Sequence, residues 1–292
     1  SSKDMDVAIG KEAQATGGES LAFGSQSKAS GQATVAVGKE SNASGSSAVA
    51  AGYQSAAAGN NAVAVGKNTT AGAENAIAVG LRATATGTRA IATGAGSSAT
   101  GAQSLANGFT AKALDEDTIA QGNAATANKE SDIAIGTSSV ANGGSTKPGA
   151  TPNKSLPGGG DNGSAIAMGK NANATGFATV AVGHAANASY DTATAIGYKA
   201  SASKEDAIAT GSLANASGNF AIATGAGAAS SAHGSIATGF NSNASANAAI
   251  ATGTRSKASG ASSIAIGANA NASVNNSVAL GDGSVTTAAV NV

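Results

Sequence analysis

Val35-Ala36-Val37-Gly38 recurs as Val63-Ala64-Val65-Gly66 and, far along the chain, as Ile264-Ala265-Ile266-Gly267. The glycine that closes this phrase falls at every fourteenth residue from Gly10 to Gly136, and again from Gly169 to Gly281. From Gly136 to Gly169 the step is 33 residues, one repeat of 14 and an insertion of 19. The 292 residues would by length alone suggest about two domains. A period held this strictly replaces that estimate with a solenoid built from one repeated unit.

With the closing glycine as position zero, position −2 is Ala in all 19 repeats, from Ala8 to Ala279. Position −3 is Val, Ile or Leu in 18 of 19, Thr194 being the exception. Position −1 is looser, with Ile9, Phe23 and Val37 but also Asn107, Gln121 and Thr210. Position +3 is always Ala, Ser or Thr, and +5 is Ala except at Ser230 and Thr286. Gly recurs at +7, as at Gly17, Gly31 and Gly45, and charges gather just after the anchor and near +8 and +9. These columns predict a strand over −4 to −1, rich in β-branched residues, and a second of small residues over +3 to +6. Glycines at zero and +7 mark two turns where the backbone takes positive φ or passes close to another chain segment. Stacked coils set each strand parallel to its copy. Helix is disfavoured by about 1 kcal/mol for each of the regularly spaced glycines.

In a strand, −3 and −1 share one face and −2 takes the other. A coil of fourteen residues encloses little space, which suits Ala at −2 and the small residues at +3 and +5. The aliphatic column then points outward as a continuous stripe, which needs cover, most simply from copies of the same chain. The candidates for that contact are Val35, Val63, Ile77, Ile91, Ile133, Ile166, Ile208, Ile222, Ile236, Ile250 and Ile264. The alternative puts the aliphatics inside and permits a monomer. Asn107 and Gln121 weigh against it, because a dry narrow interior leaves their amides unsatisfied.

Composition limits the chemistry. Only 3% of residues are aromatic, there is no Cys, and 16 basic residues balance 16 acidic ones. Nothing points to nucleic acid or to direct membrane contact, and no disulfide or cysteine metal site is possible. His184 and His233 lie 49 residues apart, no nucleophile pairs with either in sequence, and the Gly-rich runs lack a phosphate-loop Lys-Ser/Thr. No catalytic, cofactor-binding or metal-binding residue is assigned, and the chain is expected not to be an enzyme.

Asn276-Ser277-Val278-Ala279-Leu280-Gly281-Asp282-Gly283-Ser284, Ser20-Leu21-Ala22-Phe23-Gly24 and Asn75-Ala76-Ile77-Ala78-Val79-Gly80 resemble the head repeat of trimeric autotransporter adhesins, the YadA-like head. The resemblance implies an all-β, left-handed parallel β-roll with three chains about one axis. It further implies display from the outer membrane of a Gram-negative bacterium and attachment to extracellular-matrix proteins, of the collagen or fibronectin class, or to cell-surface receptors. It transfers no ligand contact residue by residue. The family's signal peptide, stalk and membrane anchor find no match here, so the sequence reads as a head segment. A passive spacer that holds a more distal binding domain is the alternative.

Three expectations concern departures from the repeat. The insertion is placed at 144–162, between head blocks 1–143 and 163–292; it holds Pro148, Pro152 and Pro157 and reads as a surface loop. Seven of the eight aromatics fall at turn positions, among them Tyr53, Phe109, Tyr198 and Phe240, and are expected to pack along the roll edge or against a partner. Thr210, Thr224, Thr238 and Thr252 form a ladder, but an ice-binding face would need a second exposed Thr column where the flanking −2 column is Ala.

Overall fold

A fourteen-residue coil of small side chains is too short to pair its own strands side by side, so its backbone groups find partners in the coils before and after it. The computed structural model describes residues 5–144 and 164–287, which fall into two units, 1–138 and 139–292. In each unit the chain is a parallel β-solenoid with two sheets. The first unit opens with Val7–Ile9 and Gln14–Ala15, which pair in parallel with Leu21–Phe23 and Lys28–Ala29. Every later pairing repeats that step: Val63↔Ile77, Ile77↔Ile91, Ile119↔Ile133. The second unit begins with Val140–Ala141, whose partner is Asn173–Ala174, so 33 residues are spanned there without loss of register. It continues through Val278–Leu280. The predicted loop at 144–162 lies, apart from Gly144, outside the described residues.

The strands are shorter than the columns suggest: three residues at −3 to −1 and two at +4 and +5. The flanking positions −4 and +3 belong instead to turn closure. The +3 amide bonds the anchor carbonyl, as in Ser27 N to Gly24 O at 3.3 Å, and so leaves the ladder.

The interior is made of −4, −2, +3 and +5. Ala22, Ala64 and Ala134 at −2, Ala48 and Ala62 at −4, Ala83 at +3 and Ala29 at +5 have no exposed surface. Hydroxyls enter this dry space because they find carbonyls to donate to, most often three residues back. Ser27 Oγ donates to Gly24 O at 2.8 Å, Thr34 Oγ1 to Gly31 O at 2.8 Å, and Ser104 Oγ to Gly101 O at 2.7 Å. Ser230, one of the two departures from Ala at +5, donates to Ser235 O at 2.7 Å while its Oγ lies 2.6 Å from Ser235 Oγ.

The turns stack as tightly as the strands. Gln26 N donates to Lys11 O at 2.7 Å and Ala33 N to Gly18 O at 2.8 Å, each linking a turn to the coil before. The anchor glycines take φ between 109° and 140°. Glycines at +7 do not take positive φ; they are small because the next turn crowds them, and a methyl carbon at Gly17 would lie 1.9 Å from Gly31 O. The left-handed positions of the turns are +2 and +9, where Glu12, Asn68, Arg82, Leu213 and Phe220 sit with φ of 51–60°. Glycine content does not reveal this requirement.

At the start of the first unit Asp6 stands in the −4 column. Its carboxylate accepts from Ser20 Oγ at 2.6 Å, Ser20 N at 2.9 Å and Gly18 N at 3.4 Å. The Ser20 hydroxyl, then the Ser20 and Gly18 amides, hold this carboxyl below the ordinary aspartate range. A depressed folded-state pKa gives stability that is present above the unfolded value of 3.8 and is lost as pH falls through the folded value. Amide exchange at Ser20 should therefore accelerate on acidification below that value, and Asp6→Asn should remove the pH dependence. Unchanged protection across the window would refute the assignment.

Candidate functional site: the outward columns and turn edges

With Ala at −2 turned inward, the aliphatic columns at −3 and −1 emerge together on the outer face of the first sheet. All eleven residues expected to make a subunit contact lie on this face of their own unit. Val63, Ile77 and Ile91 are consecutive ladder partners, as are Ile208, Ile222, Ile236, Ile250 and Ile264. Val35 and Ile133 continue the column in the first unit and Ile166 in the second. They are mostly half-buried by the neighbouring coils, with Ile208 at 38% exposure. The −1 column, which is not among those eleven residues, is the more exposed of the two: Phe23 at 51%, Met168 at 41% and Ile266 at 41%. The alternation of −3 and −1 around a buried −2 was the signal for it.

Polar residues interrupt the −1 column. Thr93 Oγ1 donates to Asn107 Oδ1 at 2.9 Å, and Asn107 is the ladder neighbour of Gln121. Thr210, Thr224, Thr238 and Thr252 run in register in the second unit. The outward neighbour of this Thr ladder is the Ile column at −3; the Ala column expected to flank it faces the interior.

The turns carry the longer polar and aromatic side chains, stacked at the repeat spacing. Tyr53 lies between Lys39 and Lys67, whose Nζ atoms are 5.7 and 5.5 Å from its ring centre. Such contacts contribute about 0.5–1 kcal/mol when exposed. His184 stacks on Tyr198 with centroids 5.4 Å apart and planes at 13°, while Phe220 meets His233 edge-on at 5.4 Å. Gln26 Nε2 donates to Glu12 Oε2 at 2.9 Å and Gln54 Nε2 to Glu40 Oε2 at 2.6 Å. The Gln54 bond, then Lys39, holds the Glu40 carboxyl below the ordinary glutamate range. Glu12, Gln14, Gln26, Lys28, Glu40 and Asn42 line an open polar groove beside these turns. Tyr53, Tyr190, Tyr198 and Phe220 thus gain a cationic or ring partner from an adjacent coil or turn, which is a structural role in itself.

The fold and this face define a class: a parallel β-solenoid of fourteen-residue coils with an alanine interior and aliphatic columns on one outer face. The YadA head domain repeat, a family model spanning two copies of the unit, matches the chain in eleven stretches. These run from 1–27 to 127–145 and from 174–200 to 258–284. The chain belongs to this family. No curated protein sequence matches it. Membership carries a coarse function, that of a trimeric autotransporter adhesin displayed at a cell surface.

Proposed function

We propose that this chain is an adhesin head that assembles as a homotrimer through its −3 and −1 columns. It attaches to extracellular-matrix proteins of the collagen or fibronectin class, or to cell-surface receptors, from the outer membrane of a Gram-negative bacterium. The observation that supports this most is the pair of aliphatic columns, in register along each unit and uncovered in a single chain. Apolar surface of that extent is stabilised by a partner. No reaction is assigned. Binding would use the repeated outer surface, where weak contacts multiplied over many coils and three copies combine into avidity.

The second turns favour a different role. Gly31-Gln32-Ala33, Gly45-Ser46-Ser47 and Gly59-Asn60-Asn61 offer little that is specific, as suits a spacer. The two readings separate in a solid-phase assay of the segment on immobilised collagen and fibronectin. An adhesin head binds saturably, and Ile133→Asp, which removes the multivalency, lowers the apparent affinity by about tenfold or more. A segment that binds neither protein nor whole host cells is a spacer.

A further inference from the structure

The net charge of zero hides a segregation that the register makes visible. Among the described residues of the first unit, the first turn and the adjoining outward position +4 carry Lys11, Lys28, Lys39, Lys67, Arg82 and Lys112 against only Glu12 and Glu40. The second turn of the same coils carries Glu19, Glu74, Asp115, Glu116, Asp117 and Glu130 against only Arg89 and Lys129. The second unit repeats the pattern among its described residues. Lys170, Lys199, Arg255 and Lys257 oppose Asp282 at the first turn, and Asp191, Glu205 and Asp206 oppose Lys204 at the second. Each unit therefore has one basic edge and one acidic edge, on either side of the aliphatic face.

We infer that these edges dock against each other between copies of this chain, the basic first-turn edge of one copy on the acidic second-turn edge of the next. The inference rests on the association proposed above, with the chains side by side about one axis, and adds which edges meet. A rotation axis parallel to the stacking direction, with the aliphatic faces turned toward it, brings the first-turn edge of each copy beside the second-turn edge of its neighbour. It also keeps every coil at its own height. The same coil supplies opposite charges to the two edges at Lys11 and Glu19, Lys67 and Glu74, Lys112 and Glu116, and Lys199 and Glu205. Arg82 and Arg89 are the coil that breaks the pattern. A two-fold axis that packs the aliphatic faces with chains antiparallel brings like edges together instead, basic on basic. The apolar columns cannot discriminate these arrangements by charge, because neither the −3 nor the −1 column holds a charged residue. The edges can, since like charges in apposition oppose the wrong partner and unlike charges steer the right one.

The test is the assembly equilibrium of two charge-reversed variants, measured by sedimentation at about 20 mM and about 500 mM salt, a range over which exposed charges go from weakly to almost wholly screened. Lys67→Glu with Lys199→Glu makes both edges acidic at those two coils; adding Glu74→Lys and Glu205→Lys reverses both edges there and restores complementarity. The first variant is expected to associate at least about tenfold more weakly than the parent at low salt and within about threefold of it at high salt. The fourfold variant is expected to recover parental association at both. Circular dichroism checks that each stays folded. Association of the first variant equal to the parent at low salt, or a fourfold variant no better than the first, overturns the edge pairing while leaving assembly through the aliphatic face standing. A parent that is monomeric throughout overturns the association itself, and the edge pairing with it.

Discussion

Gly66→Ala is expected to disrupt its coil, whereas Gly72→Ala, six residues on in the same coil, is expected to be neutral or slightly stabilising. Gly66 has φ of 132°, and a methyl carbon there would lie 2.6 Å from Gly80 O and 2.9 Å from Gly80 C. Those atoms belong to the next anchor, whose amide is bonded to Val65 O at 2.8 Å, so they have no room to withdraw. Backbone strain of this kind costs about 1–3 kcal/mol by itself, and the contact with fixed backbone adds to it, for a total of about 3 kcal/mol or more. Gly72 lies outside the left-handed band, and its nearest neighbour to a methyl carbon is Thr86 Cγ2 at 3.4 Å. The equivalent position one coil earlier is already Ala58. Alanine there restricts the unfolded chain and is worth about 0.4–1 kcal/mol. Thermal melts of the two variants, with amide exchange across neighbouring coils, check both. Because each coil rests on its neighbours, the Gly66→Ala defect should be read first in the coils beside it. Equal melting of the two variants would contradict the close stacking of anchors.

The second large contrast lies between two adjacent residues. Ala134 has no exposed surface and faces the interior, while Ile133 faces out. Ala134→Leu adds a branched side chain where the opposing strand supplies only small residues, and should cost about 1–3 kcal/mol or more. Ile133→Asp should change the stability of the single chain by under about 1 kcal/mol, yet weaken association, because a carboxylate is buried against apolar partners. Circular dichroism reads the first effect and light scattering the second. If Ile133→Asp unfolds the chain, or leaves assembly unchanged, the outward face is not a subunit contact.

Much of this architecture was legible because the narrow coil turns packing into a rule about size. Ala at −2 in every repeat suited a narrow interior better than an outer face, and the interior is where the structure places it from Ala22 to Ala279, Ala8 of the first coil being exposed. The anchor glycines likewise announced a turn with a close crossing. What the sequence concealed is set by backbone rather than side chains. Leu213, Phe220 and Arg82 carry no sign of a left-handed conformation; stacked turn amides such as Leu213 N to Tyr198 O at 2.8 Å impose it. Strand ends were overestimated for a related reason: the side chains at −4 and +3 resemble strand residues, yet +3 spends its amide on closing a turn. The −1 column escaped the list of contact residues because Thr, Asn and Gln interrupt it, although the pleat already placed it beside −3. The charged edges were invisible to a sum over the chain and became visible only when each residue was given its place in the coil.

The central claim, that the aliphatic columns are covered by copies of the same chain, is tested most directly by the solution mass of this segment, measured by light scattering after size exclusion. Assembly through those columns gives three times the 27.0 kDa of one chain. A mass of one chain at every concentration would contradict it.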